Sequence, residues 1–184
     1  MGKDDWYRKT KWSPEVEKEF FTRLERARST YNKAQYLRIQ AYHLQTKCSP
    51  PDYLTALRLL EHLILRFPDP NELGAAYLQK AKCHEALGQH QDALNSYKCA
   101  IQFSKNDRGV FATDAPVHFA LFVAKNHLKE YYSETLQYFK GAELILIMPS
   151  VQFNAFSAMA LMAADSGKTR KARNLAKKAL ALLP

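Results

Sequence analysis

Residues 74–107 read GAAYLQKAKCHEALGQHQDALNSYKCAIQFSKND, and this stretch decides the fold. Before Leu87-Gly88, Tyr77, Ala81 and His84 recur at steps of four and three; after it, Ala93, Tyr97 and Ala100 do the same. That period gives each of two helices one face to bury, and a hinge at Leu87-Gly88 lets the two faces close on each other as a hairpin. Small residues belong where two helices touch. Ala81, Ala93 and Ala100 are therefore predicted to be buried, together with Ala160, Ala172 and Ala179 further along.

The pattern recurs on both sides of this hairpin. Towards the N-terminus, Ser13 suits an N-cap, Pro14 a first helical position, and Glu15 and Glu17 a first turn, where the helix dipole favours acid. Val16, Phe20, Leu24, Ala27 and Tyr31 make the stripe of that helix. Residues 1–12 lack a period and read as a tail or a docked strap. An earlier hairpin spans 34–68: Leu37, Ala41 and Leu44, a Cys48-Ser49-Pro50-Pro51 turn, then Ala56, Leu60 and Leu63 before the stop at Phe67-Pro68. After the polar connection Asn106 to Thr113, a third hairpin at 116–149 carries Phe119, Val123 and Asn126, then Tyr132, Thr135, Phe139 and Ala142, without a hinge glycine. The fourth, 153–184, carries Phe156, Met159, Ala160 and Ala163, a hinge at Gly167, then Ala172, Ala176, Ala179 and Pro184. Ala56, Ala93, Thr135 and Ala172 hold corresponding places, and their spacings exceed 34 residues by amounts that surface loops absorb. An irregular helical bundle is the competing reading, since alanine and leucine at helical steps occur in any helical protein.

In 74–107, the order aromatic, small, His, Leu-Gly hinge, Ala-x3-Tyr, Ala resembles the 34-residue tetratricopeptide repeat. The resemblance covers 34–184, most closely in the second and fourth hairpins. It implies an all-α fold, a right-handed superhelix of four helical hairpins, preceded by a tail and capping helix in 1–33. The stretch YNKAQYLRIQAYHL at 31–44 also resembles small uncharacterised bacterial proteins of this class.

The resemblance further implies protein recognition in a concave groove lined by the first helix of each hairpin. By helix phase the groove would take Arg38, Tyr42, Lys82, Glu85 and His127 at its polar positions, with Val117, Ala120, Ala124 and Leu161 at an apolar end. Family members that grip the C-terminal carboxylate of heat-shock chaperones use paired Lys, Arg and Asn there. Here Leu78, Ala120, Ala124, Ser157 and Leu161 stand in those places, so that clamp is not expected.

Composition narrows the function classes. The 184 residues are enough to bury a core, and no apolar run is long enough to cross a bilayer. The stretch MGKDDWYRKTKW has no apolar core, so no secretory signal is expected. Three cysteines, odd in number and without ligand spacing, fit a reducing compartment, and the protein is read as cytoplasmic. The six histidines are scattered, with no H-E-x-x-H, G-x-S-x-G or phosphate-cradling loop. No enzyme, catalytic residue, cofactor or metal is expected.

Charge is more specific. The net +9 lies at the two ends: residues 34–167 balance, whereas 168–184 hold Lys168, Arg170, Lys171, Arg173, Lys177 and Lys178 and no carboxylate. This basic patch reads either as a solvated capping face or as a docking surface for an acidic protein. Nucleic acid is the weaker fit, because no recognition helix, zinc site or ribonucleoprotein signature accompanies it. Two binding classes stay open: an adaptor that holds a partner protein or peptide, and a dedicated inhibitor such as a toxin-neutralising immunity protein.

Overall fold

The computed structural model describes residues 5–105, 112–139 and 148–183. These form α1 (Pro14–Glu25), α2 (Thr30–Thr46), α3 (Tyr53–Arg66), α4 (Pro70–Ala86), α5 (His90–Ser104), α6 (Ala115–Lys125), α7 (Tyr132–Phe139), α8 (Pro149–Asp165) and α9 (Thr169–Leu180), with no strand among the described residues. The predicted contact at Ala142, positions 106–111 of the polar connection and the closing Pro184 lie outside them. The chain divides into two compact units, Met1–Ala100 and Ile101–Pro184.

In the first unit α1 packs on α2, α2 pairs with α3, and α4 packs on both. Its core joins Phe20 and Leu24 of α1 to Leu37, Ala41 and Leu44 of α2 and Leu60 and Leu63 of α3. The Ser13 hydroxyl accepts from the Val16 amide at 3.3 Å and starts α1 as predicted. The stripe is shorter than expected, however. Ser29 accepts from the Asn32 amide at 3.1 Å and starts α2 at Thr30, so Ala27 falls between helices and Tyr31, 40% exposed, belongs to the next one. A second serine that can satisfy orphan amides ends one helix and begins another where apolar spacing alone would run on.

In the second unit α6 pairs with α7 and packs on α8, and α8 pairs with α9. Val117, Ala120 and Ala124 of α6 close against Val151, Ala155, Ala158 and Met162 of α8. Of the six alanines expected in helix contacts, Ala81, Ala93 and Ala100 are fully buried and Ala179 nearly so, while Ala160 and Ala172 are half-buried.

Three hinges share one hydrogen-bond pattern. The Gly88 amide donates to the Glu85 carbonyl and the Gln89 amide to that of His84; Gly167 and Lys168 do the same to Ala164 and Ala163. This doubled closure, with the central residue left-handed, is the Schellman motif, and the two glycines adopt φ of 71° and 73°. The third hairpin has the same turn without glycine: His127, at φ 55°, donates to Ala124, and Leu128 donates to Val123. The first hairpin differs. The Asp52 amide donates to the Leu44 carbonyl across the proline turn, and the Asp52 carboxylate caps α3 by accepting from the Thr55 amide at 3.0 Å.

Candidate functional site

The groove residues expected on first helices prove to be tied into the fold to very different degrees. Glu72 lies in the first turn of α4, where the helix dipole favours a carboxylate, and it is nearly buried. Arg38 reaches across from α2 to form an ion pair with it, donating through Nε. Glu85 accepts from the Tyr97 hydroxyl of α5 at 2.6 Å, and Lys82 is half-buried. Tyr42 alone of the groove set in the first unit is broadly exposed, at 44%.

In the second unit the apolar end departs from expectation. Val117, Ala120 and Ala124 are buried in the unit's own core against α8, so they offer no open surface. Helix phase places the three on one side of α6, and α8 packs against that side. Leu161, expected beside them, is 45% exposed. His127 stands beyond the end of α6, in the hinge, so helix phase does not set its direction.

At that hinge a polar cluster fastens α6 and α7 to the end of α8. The Tyr132 hydroxyl donates to Asp165 Oδ2 at 2.8 Å, His127 Nδ1 lies 3.3 Å from Oδ1, and Lys129 donates to the Asp165 backbone carbonyl at 3.3 Å. The Tyr132 bond, with Lys129 and His127 beside it, holds the Asp165 carboxyl below its ordinary pKa against an opposing desolvation. Tyr132 itself is pushed up to about 12, first by desolvation and then by the bond to Asp165.

Elsewhere titratable groups are dispersed. Burial pushes the Cys83 thiol up to about 12, which suits a small packing residue better than a nucleophile. His43 is lowered by desolvation and then by Arg8 and Lys47, and His62 by desolvation and then by Arg66. Among the described residues no group of three or more His, Cys, Asp or Glu side chains is placed to hold a metal ion.

The basic patch keeps its surface. Lys168, Arg170, Lys171, Arg173, Lys177 and Lys178 are all exposed, and among the described residues none forms an ion pair. Lys178 lies over the Phe156 ring of α8, 5.7 Å from its centroid. Gly167 to Lys171, with Asn174, Leu175 and Lys178, line a broad open recess of about 790 Å³. Inward, Ala179 is buried and Leu175 and Ala176 are half-buried, whereas Leu180 is 62% exposed.

Sequence reasoning missed Gln40 and Asp165. Each has a faint signal: an amide inside the Leu37-Ala41-Leu44 stripe, and a lone acid two residues before a hinge glycine. No protein-family model, curated protein or solved structure matches the chain.

Proposed function

We propose that this chain is a binding scaffold, a tetratricopeptide-like superhelix of stacked hairpins, and that it docks an acidic protein through the cationic face of α9. The observation that carries this reading is the contrast in charge use. Arg38, Glu85 and His127 sit against partners on other helices, whereas six exposed cations of 168–178 have no internal ion pair among the described residues. Charges left free on one helix steer an oppositely charged partner and raise its encounter rate. The superhelix is supported by the three equivalent hinges at Gly88, His127 and Gly167, whose near-even spacing is what a repeat with small loop insertions requires. No helix among the described residues is long and apolar enough to cross a membrane, and cytoplasmic location is part of the proposal.

The test uses two baits in a host lysate at physiological salt: the wild-type chain and the K171E/R173E/K178E variant. An acidic protein captured by the first and lost from the second is the expected outcome. Equal capture by both, or capture that nucleic acid competes away, would remove α9 as a protein-docking face. Affinity then separates the two binding classes: about micromolar fits an adaptor for a short segment, and about nanomolar an inhibitor with a large rigid interface.

A further inference from the structure

Two grooves stand at corresponding places in their hairpins and carry opposite chemistry. Counted from the hinge glycines Gly88 and Gly167, the second hairpin's Lys80, His84, Asp92 and Cys99 answer to Met159, Ala163, Lys171 and Lys178 of the fourth. Space agrees with the count. Tyr77 and Cys99 line the first groove together, and their counterparts Phe156 and Lys178 are in contact, the ammonium 5.7 Å from the ring centroid.

The first groove, about 350 Å³ between α3, α4 and α5, is polar and largely answered from within the fold. Lys80 crosses it to Glu61 at 3.0 Å, and His84 Nδ1 meets Gln89 Oε1 at 2.7 Å. In the fourth hairpin, about 280 Å³ lies open between α7, α8 and α9. Methionine and alanine replace the lysine and histidine, so the floor is Met159, Met162 and Ala163, and Leu136 of α7, 43% exposed, forms a wall. Lys168 and Lys171, both exposed and without an ion pair among the described residues, line this groove and the recess at the start of α9 alike.

A groove that serves only as solvated surface has no use for that exchange. Apolar lining left open to water is unfavourable, and a covering apolar group removes the cost. Methionine adapts its shape to whatever lies on it. An apolar pocket rimmed by charge of one sign is the pattern of an interface anchor, in which one inserted side chain supplies affinity and the rim selects the partner.

We propose that this groove receives the anchor of the acidic partner: a segment with one large aliphatic or aromatic side chain, seated between α7 and α9 on Met159 and Met162, and carboxylates beside it that meet Lys168 and Lys171. The inference rests on the reading of α9 as a docking face and adds which part of the partner is read. The cations select a segment with acids next to its anchor. The volume admits side chains and excludes a whole helix, whose diameter is about 10 Å or more.

The probe is a phage library of random dodecapeptides, selected at low salt on the full-length wild-type chain. Ser133 lines the groove from an exposed position on α7, so Ser133→Phe fills it without entering the core. Leu136→Trp fills it from the same helix and serves if Ser133→Phe lowers the circular dichroism melt. Enriched peptides should carry a large apolar residue beside two or more Asp or Glu. One of them, labelled with fluorescein and read by polarisation, should bind the wild type at least tenfold tighter than it binds the filled variant or K168E/K171E. Replacing its apolar residue by alanine should cost the same factor. Enriched acidic peptides that lack an anchor, or that bind the filled variant as tightly as the wild type, would overturn this inference and leave docking on α9 standing. Enrichment of no acidic peptide would overturn both.

Discussion

Arg38 and Arg173 carry the same guanidinium on helices of the same general pattern, and the fold uses them in opposite ways. Arg38 is three-quarters covered and paired with a carboxylate that sits in the first turn of α4. Arg173 stands in solvent on α9 with no ion pair among the described residues. The first charge is part of what aligns α2 with α4; the second adds almost nothing to the fold and is free to act on something outside it. A cation can therefore mark a binding face only when no neighbouring helix offers it a carboxylate, as α4 offers Glu72 to Arg38.

The largest test of that contrast removes Arg38. Glu72 would then be a nearly buried carboxylate without its cation, and Arg38→Ala should cost about 3 kcal/mol in a urea melt. The double variant R38M/E72M should recover most of that loss, because an apolar pair replaces an ion pair there without leaving a lone charge. A loss below about 0.5 kcal/mol, the size of an ordinary surface change, would mean the pair is as idle as the α9 cations. Tests of the groove are better aimed at Tyr42, which is 44% exposed and whose ring meets the neighbouring His43 edge-on at 6.0 Å.

Smaller effects sharpen the comparison at the hinges. No neighbouring atom lies within contact range of a methyl added at Gly88, so Gly88→Ala bears only the left-handed backbone penalty, about 1 kcal/mol. His127 already bears such a penalty, and His127→Gly should gain up to about 1 kcal/mol, less whatever its approach to Asp165 contributes. If the two substitutions shift the melt in the same direction, the hinges are not equivalent.

The smallest effect is a pH dependence at Asp165. Its pKa is depressed in the fold, so the stability it adds is present above the ordinary carboxylate range and is lost as pH falls through the depressed value. Tyr132→Phe removes the largest cause of the depression. The wild type should therefore exceed Y132F in stability at neutral pH, and the gap should narrow as the pH is lowered below about 4. A gap that stays constant through the acid range would show that Tyr132 acts without the Asp165 charge.

How much of this was legible in the sequence varies with the physics involved. Gly88 and Gly167 announced their turns because a left-handed residue without a side chain is easy to recognise. His127 did not, since a histidine in that conformation looks like any other; only its even distance from both glycines gives it away. The burial of Val117, Ala120 and Ala124 escaped because phase tells which way a side chain points and not whether another helix waits there. Gln40 escaped because an amide between apolar residues reads as surface when its partner is backbone 31 residues away. The α9 patch was legible because exposed charge needs no partner to be seen.

The most direct measurement is the association rate of the captured partner with the wild-type chain and with K171E/R173E/K178E, each at low salt and at about 0.15 M, where screening acts over only about 8 Å. If α9 is the docking face, the variant associates at least about tenfold more slowly at low salt, and the difference shrinks as salt rises. If the cations serve only solubility, the association rate stays unchanged and insensitive to salt, and the melt shifts little, because Lys178→Glu in the last turn of α9 costs about 0.3 to 1 kcal/mol whereas Lys171→Glu falls in the first turn, where the dipole favours acid. That second result would contradict docking through α9.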